Sequence, residues 1–277
     1  MSRYEPATLE QVSDWWATAV TRIAPGEVEY RGIPVQELIG QTDLVTGMWL
    51  LVRGDRPTPG QAALLQAAIV AAFDHGPQAP SIAVARMAVT CGIGINNAMA
   101  SAVNTLGDSH GGAGQQCVAL LDEVVALTGT GVTAEAAALE VTDRWRQRSR
   151  YLPGFGHRFH PRDPRRDPLL GLVAEAVETG VVAGHHLSAA LAVEARLDPV
   201  PMNIDGATAV IYAELGFEPE LARGFFVLSR SVGILAHAWE ERQSGRRNKG
   251  PIPPSLLPTF LAPAPLDPAA PGPGRHR

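Results

Sequence analysis

The chain has 277 residues, enough for one large domain or two smaller ones with a substantial core. Its residues are 45% hydrophobic and 18% charged, which excludes wholesale disorder, and a formal net charge of −5 argues against a general nucleic-acid binder. The two cysteines lack CxxC spacing and suit a reducing compartment. Because no apolar run has membrane-spanning length and the polar N-terminus is not signal-like, we expect a cytoplasmic protein without a membrane anchor.

Hydrophobic periodicity predicts helices along nearly the whole chain. Thr8 and Gln11 form a predicted capping box before a helical spacing that continues to Ile23, and only 28–31 and a few neighbours alternate as in a strand. Thr58 and Pro59 begin a second helix that runs to residue 73. The further predicted helices are 81–90, 97–106, 113–128, 133–149, 168–178, 184–196, 206–215 and 218–243. This succession predicts an all-α fold and argues against a doubly wound sheet.

The last segment, residues 251–277, contains nine prolines. Proline removes a backbone donor and breaks both helices and central strands. We therefore expect an extended tail, either disordered or laid across a partner subunit.

Four loops between the predicted helices combine glycine or proline with polar residues. Their sequences are DHGP at 74–77, GDSHGGA at 107–113, PGFGHR at 153–158 followed by RDPR at 162–165, and NIDG at 203–206. Glycine beside a polar residue lets the backbone approach a ligand closely. Arginines surround the third loop, where an anion site and a set of structural ion pairs both remain open: Arg158, Arg162, Arg165 and Arg166. The preceding four arginines, Arg144, Arg146, Arg148 and Arg150, fit a solvated helix face.

Three of the histidines lie in these loops, which favours a chemical role for them: His75, His110 and His157. Structural or solvated positions are expected for His160, His185, His186 and His276. No metal site is predicted, because the pair at 157 and 160 lacks a third ligand.

The segment GDSHG at 107–111 matches the G-x-S-x-G motif of serine hydrolases, but a helix and not a strand is predicted before it. Phosphate-binding glycine motifs of nucleotide enzymes do not occur in the sequence. Histidines, one aspartate on a turn and several arginines remain. These groups suit proton transfer next to a carbonyl in a carboxylate-bearing substrate.

Six motifs follow one another in a characteristic order: DHG at 74–76, HGGA at 110–113, PGFGHR at 153–158, DPR at 163–165, NIDG at 203–206 and SRSVGILAHAWE at 229–240. With GEVEYRGIPVQEL at 26–38 and MWLLVRGDRP at 48–57, they resemble the citrate synthase superfamily. The resemblance implies an all-α, two-domain, citrate synthase-like fold that forms a homodimer or a higher oligomer, with its active site in the interdomain cleft. The large domain would comprise 1–113 and 209–250, with the small domain, 114–208, inserted and 251–277 as the tail.

The resemblance also implies roles for single residues. His110 would hydrogen-bond the thioester carbonyl, His157 would donate to the oxaloacetate carbonyl, and Asp205 would remove the methyl proton of acetyl-CoA. The groups expected to hold the keto acid are His75, Arg165, Arg230 and, reaching the partner's site from the run 246–249, Lys249, which stands where the family has an arginine. Arg158 and Arg162 would contact the phosphates of CoA. For Asp205, a helix-capping role is the alternative.

The implied partners are an acyl-CoA and a dicarboxylic keto acid. The coenzyme A thioester is a substrate, and no permanently bound cofactor, metal, nucleic acid or membrane is expected.

Three features resemble citryl-CoA lyases and the lyase module of ATP-citrate lyase more than synthases. They are the short chain, the LGD sequence at 106–108, and Gly206 after Asp205, where synthases more often carry an aromatic residue. We therefore expect reversible cleavage of citryl-CoA to acetyl-CoA and oxaloacetate by enolate acid–base catalysis. The alternatives are synthase-type condensation of acetyl-CoA with oxaloacetate and, more remotely, a non-catalytic binding or assembly protein.

Overall fold

The computed structural model describes residues 7–158, 160–253, 255–256 and 258–261. Over these residues the chain forms twelve helices and one small antiparallel sheet. The helices are α1 (Leu9–Trp15), α2 (Val35–Leu38), α3 (Leu44–Arg53), α4 (Pro59–Ala71), α5 (Pro80–Thr90), α6 (Ile95–Val103), α7 (Ala113–Thr128), α8 (Ala134–Arg146), α9 (Arg166–Glu178), α10 (His185–Arg196), α11 (Ile204–Glu214) and α12 (Pro219–Gln243). The strands are β1 (Thr21–Ala24), β2 (Glu27–Tyr30) and β3 (Ile33–Pro34). The all-α prediction is confirmed, and no helix among the described residues is long and apolar enough to cross a membrane.

Both predicted helix starts are confirmed. The Thr8 hydroxyl accepts the Gln11 N–H while the Gln11 side chain accepts the Thr8 N–H, and Thr58 and Gln61 repeat this capping box at α4. Pro59 occupies the first turn of α4, where a missing N–H costs nothing. Local side-chain chemistry therefore sets these two boundaries.

The helical prediction for 16–23 is wrong. Helix α1 ends at Trp15, and β1 then pairs with β2 in the register Ile23 with Val28 and Ala24 with Glu27. The turn between the strands is Pro25-Gly26, with Gly26 at a φ of +81°, a conformation that glycine adopts easily. Cross-strand pairing thus overrides the helical spacing of the apolar residues.

Helix α3 was not predicted from periodicity. Asp43 caps its first turn by accepting the Thr46 N–H at 2.9 Å, and it ends at Gly54 in a left-handed conformation. Trp49 on this helix is buried against Phe217, with ring centroids 5.1 Å apart. Helix α3 thereby joins the main core beside the segment that precedes α12.

Two clusters of buried residues organise the helices. The main core draws on α3, α4 and α7 to α12, and helix α11 is buried over most of its length. A smaller cluster joins α5 and α6 to the second half of α12 through residues such as Ile82, Ala98 and Ile234. The main core contains residues from both sides of the predicted boundaries at 113 and 208, and the division into two domains stays a prediction.

One face of α12 is exposed and apolar. Its members are Leu228, Val232, Leu235 and Trp239, each between 44% and 52% exposed. They recur every three or four residues, so they form one stripe, called here the apolar face of α12. The described residues of the proline-rich tail beyond 250 form no helix or strand, and 262–277, with His276, lie outside the described residues.

Candidate active site

All four predicted loops contribute to one cavity of about 460 Å³. The sequence-predicted site residues that line it are His75, His110, His157, Arg158, Arg165, Asp205 and Arg230. Other lining residues include Gln78, Ser109, Asn203 and Phe226. The structure therefore brings together groups that lie up to 155 positions apart in the chain.

His110 is held by a tight turn against the start of helix α5. Gly107 and His110 exchange backbone hydrogen bonds, and Gly111 takes a φ of +95°. The backbone N–H of Ser81 donates to His110 Nε2 at 3.1 Å, and the Ser81 hydroxyl lies 2.9 Å from the same nitrogen. A ring nitrogen that accepts an N–H carries no hydrogen, so in the neutral ring the hydrogen sits on Nδ1. Burial, aided by the Arg230 charge, lowers the pKa of His110 and keeps it neutral.

His157 is fixed in the same way but through its other nitrogen. The backbone N–H of His160 donates to His157 Nδ1 at 3.1 Å, which places the ring hydrogen on Nε2. Its ring centroid lies 5.2 Å from that of His75. Burial lowers the pKa of His157, and burial together with the Arg165 charge lowers the pKa of His75.

His160 was expected to be structural or solvated, and the structure places it beside two cavity histidines but not in the cavity lining. Its ring lies 4.6 Å from the His157 ring and 6.4 Å from the His75 ring, centroid to centroid. Its backbone N–H orients His157, so it supports a cavity residue directly. The sequence around it, beside Pro161, gives no periodic signal that would reveal this contact.

Asp205 lies in the first turn of helix α11 and is not its cap. Asn203 performs that role, because its side chain accepts the N–H groups of both Asp205 and Gly206. The Asp205 carboxylate therefore borders the cavity without a capping duty. Burial raises its pKa above the usual range, although the charges of Arg165 and Arg230 act in the opposite direction.

Arg165 is oriented by a buried carboxylate, Asp163, which was not among the predicted site residues. Asp163 accepts from Arg165 Nε and Nη2, both at 2.9 Å, and from the backbone N–H of Ile204. Burial acts to raise the pKa of Asp163, but the Arg165 hydrogen bonds outweigh it and hold the pKa at about 2. One ionised carboxylate thus ties Arg165 to the start of α11.

Arg230 is only 5% exposed, yet it borders the cavity from helix α12. Its Nε donates to the Ala72 carbonyl at 3.2 Å, and its guanidinium lies 5.1 Å from the Phe226 ring centroid. Among the described residues its two Nη groups donate to no other group. Burial lowers the pKa of Arg230, although the negative charges of Asp74 and Asp205 oppose this. A buried cation with unused donors is suited to an anionic ligand.

Two of the predicted binding residues lie away from the cavity lining. Arg162 is exposed and forms a bidentate pair with Asp167 at 2.7 and 2.9 Å. Lys249 donates to the buried Glu241 at 2.7 Å. Arg158 does line the cavity, with its side chain exposed.

The structure also bears on the serine motif and on metal binding. Helix α6 ends at Val103, shortly before GDSHG at 107–111, so the strand that a hydrolase serine requires is replaced by a helix. Across the residues that the structure describes, no group of three or more His, Cys, Asp or Glu side chains has the arrangement of a metal site.

The fold and the cavity define an all-α protein of the citrate synthase type. The family model for the citrate synthase C-terminal domain matches residues 53–252, and the chain belongs to this family. The chain is 26% identical over 236 residues to ATP-citrate synthase subunit 1 from Sordaria macrospora, covering 78% of this chain and 34% of that protein. It is 27% identical over 209 residues to citrate synthase from Acidithiobacillus ferridurans, covering 71% of this chain and 51% of that one. The chain thus spans between a third and a half of these relatives.

A solved structure matches over nearly its full length. The citryl-CoA lyase from Hydrogenobacter thermophilus superposes with a TM-score of 0.78 at 27% sequence identity. The match covers 91% of this chain and 97% of the lyase.

Proposed function

We propose that the protein cleaves citryl-CoA reversibly to acetyl-CoA and oxaloacetate. One observation carries this proposal: two neutral histidines with opposite ring nitrogens fixed by backbone N–H groups border a cavity that also holds Asp205. Carbon–carbon cleavage next to a thioester needs these parts. One donor stabilises the enol oxygen, a second stabilises the departing keto oxygen, and an acid delivers a proton to carbon.

The substrate's carboxylates would be held by the two cavity arginines. Arg230 offers both Nη groups from a buried position, and Arg165 is oriented by Asp163. His75, next to His157, would complete the keto-acid site. Such fixed donors orient the substrate before reaction, which lowers the entropic part of the barrier.

Cleavage moves one proton in total, from the tertiary hydroxyl of the citryl group to the methyl carbon of acetyl-CoA. As the carbon–carbon bond breaks, the tertiary hydroxyl of the citryl group releases its proton to solvent, and its oxygen, which becomes the keto oxygen of oxaloacetate, accepts the hydrogen bond from His157 Nε2. The electrons of the carbon–carbon bond move to the thioester, whose oxygen accepts the hydrogen bond from His110 Nδ1. Protonated Asp205 gives its proton to the enol carbon and regains one from water. One proton leaves and one arrives, so acetyl-CoA and oxaloacetate form without net proton change.

The electrostatics of the site support these roles. Both histidines have pKa values lowered by burial, so they act as neutral hydrogen-bond donors and add no positive charge. Burial raises the pKa of Asp205, which increases the share of its protonated form. A protonated carboxyl is the form that must donate to the enol carbon in the cleavage direction.

The packing around Gly206 favours cleavage over synthase-type condensation. A Cβ atom at this position would lie 2.5 Å from the Gly154 carbonyl oxygen and still closer to the Met202 side chain. The aromatic residue that we associate with synthases at this position has no room here. The near full-length match to a citryl-CoA lyase supports the same choice. Synthase-type condensation is the second candidate, supported by the likeness to citrate synthases.

The remaining predicted contacts belong to this proposal as well. The coenzyme A thioester acts as substrate, and Arg158 and Arg162 meet its phosphates, the latter by exchanging its Asp167 partner. Lys249 reaches the active site of a second subunit in a homodimer, which requires it to leave Glu241. The apolar face of α12 supports this dimer, since an exposed stripe of this kind is typical of subunit contacts.

The proposal is tested by offering the purified protein two substrate sets. In the first, citryl-CoA is supplied and oxaloacetate is measured by coupled reduction. In the second, acetyl-CoA and oxaloacetate are supplied and free CoA is measured. Cleavage in the first set without CoA release in the second supports the lyase. CoA release in the second set identifies a synthase, and inactivity in both identifies a non-catalytic relative.

A further inference from the structure

The turn that carries His75 is attached to helix α12 by a chain of polar side chains. Asp74 Oδ2 accepts the Gly76 N–H at 3.0 Å and lies 3.2 Å from His237 Nε2. On the other side of that ring, Arg86 Nη1 lies 2.9 Å from His237 Nδ1. The ring of His237 thus connects Arg86 on α5 to the turn at the cavity.

The partners of His237 fix its hydrogen. A guanidinium only donates, so Nδ1 must be the accepting nitrogen, and the ring hydrogen lies on Nε2. That hydrogen is then donated to the carboxylate of Asp74, which only accepts when ionised. Burial acts to raise the pKa of Asp74, but the hydrogen bonds from His237 and Gly76 outweigh it and lower the pKa, so Asp74 is ionised at neutral pH.

Arg86, at the far end of this series of polar contacts, is itself fixed by two ion pairs. It pairs with Glu240 at 2.6 Å and with the fully buried Glu241 at 2.5 Å. Both glutamates lie on α12, as does His237, so Arg86 is held by one rigid helix. The His237 ring therefore has little freedom to move.

The backbone of the turn also lies directly against α12. A Cβ atom at Gly233 would collide with the Phe73 carbonyl oxygen and lie 3.2 Å from Asp74 Cβ. Only a glycine lets the turn come this close, one helical turn before His237. The close packing at Gly233 and the hydrogen bond from His237 to Asp74 therefore hold the same turn against α12.

We propose that His237 and Asp74 are positioning residues that hold the turn at 74–76 on helix α12 and so set the place of His75 in the cavity. This inference rests on the proposed function, in which His75 binds the keto acid. Neither residue lines the cavity, and each acts through His75. His237 was part of a motif in the sequence, but no role was assigned to it there.

The test measures oxaloacetate affinity by calorimetry in four variants and one control variant. His237→Phe removes both ring hydrogen bonds, and we expect oxaloacetate to bind about tenfold more weakly. His237→Gln, which can still donate to Asp74, should recover most of the affinity. His75→Ala should weaken binding too, and adding His237→Phe to it should have no further effect, because the two residues act in sequence. The matched control is His185→Gln, an exposed histidine at the start of α10, with wild-type affinity expected.

Two results would overturn the proposal. One is wild-type oxaloacetate affinity in a folded His237→Phe variant; the other is a pair of independent, additive losses in the double variant. Where His237→Phe does not fold, His237→Asn replaces it, since that side chain is polar but too short to reach Asp74. Affinity for CoA is measured in parallel and should change less than about twofold, whereas general loss of structure would weaken both ligands.

A second readout does not need the substrate. Ring-nitrogen NMR spectra should show His237 with its hydrogen on Nε2, and His75 signals should shift in His237→Phe but not in His185→Gln. If wild-type protein binds no oxaloacetate while these shifts appear, the proposed function fails and the positioning role stands. Unchanged His75 signals would refute the positioning role alone.

Discussion

The contact between Gly206 and Gly154 gives the sharpest prediction about the backbone of the site. In Gly206→Ala, the new Cβ would lie 2.5 Å from the Gly154 carbonyl oxygen, whereas ordinary contact begins at 3.4 Å. The loop that contains Gly154 and the start of α11 must therefore move apart by nearly the difference between these two distances. That carbonyl accepts the Asn203 N–H at 2.9 Å, so the hydrogen bond beside the start of α11 is stretched as well.

The change in the free energy of unfolding of Gly206→Ala follows from two opposing effects. Overpacking of this kind costs about 1 to 3 kcal/mol, while replacing a helical glycine by alanine returns about 0.5 to 1 kcal/mol. We expect Gly206→Ala to lower the free energy of unfolding by about 1 to 2 kcal/mol. Asp205 moves with its neighbour by a sizeable part of an ångström, and turnover should fall by about tenfold to a hundredfold.

The matched control is Gly171→Ala in the interior of α9, where a Cβ would meet nothing within 4 Å. This variant should gain about 0.5 to 1 kcal/mol and keep its activity. Denaturant unfolding gives the free energies, and citryl-CoA turnover gives the activities. If Gly206→Ala were as stable and active as Gly171→Ala, the close approach of the two loops would be refuted.

Three further predictions concern charge and assembly. Arg165→Lys and Arg230→Lys should each weaken oxaloacetate binding at least about fivefold, because an ammonium cannot replace the two-pronged guanidinium, and an unchanged dissociation constant in a folded variant would show a purely structural ion pair. The pKa of Asp163 lies at about 2 in the folded protein against 3.8 ordinarily, so the stability it contributes is present above about pH 4 and is lost as the pH falls toward 2. Asp163→Asn should remove roughly 2 kcal/mol of that pH dependence, and an unaltered dependence of the unfolding free energy on pH would contradict the lowered pKa of Asp163. The apolar face of α12 predicts an obligate dimer, and light scattering that gave the 29.4 kDa monomer at micromolar concentration would count against it.

Local signals predicted much of the fold because they act over a few residues. The capping box at Thr8 needs only a hydroxyl and a glutamine three positions later, and it occurs as predicted. The predicted helix start at Thr58 and Pro59 is confirmed as well, and the structure adds a second capping box there. The error at 16–23 has the opposite origin. Pairing of β1 with β2 depends on residues beyond the segment itself, and a helical count of its apolar residues cannot include them.

Site residues could be predicted where a sequence motif contains both the functional side chain and the loop that carries it. His110, His157 and Asp205 were singled out in this way, and the structure brings them to one cavity. The supporting residues were not, since their role depends on distant backbone groups. Ser81 reaches His110 across 29 positions, and His160 orients His157 through its main chain. At the start of α11, the asparagine before an apolar run was a usable sequence signal for the helix cap. It would have assigned the cap to Asn203 and not to Asp205.

The central claim, that Asp205 protonates an enol formed by cleavage of citryl-CoA, is tested most directly in deuterated water. Wild-type protein should convert citryl-CoA to oxaloacetate and to acetyl-CoA with one deuterium in the methyl group, as read by mass spectrometry. Because Asn203 caps α11, Asp205→Asn should fold normally. Its turnover should nevertheless fall by about a hundredfold or more. It should also lose exchange of acetyl-CoA methyl protons in the presence of a non-reacting oxaloacetate analogue. Release of citrate and CoA without deuterated acetyl-CoA, or wild-type turnover and exchange in Asp205→Asn, would contradict the account.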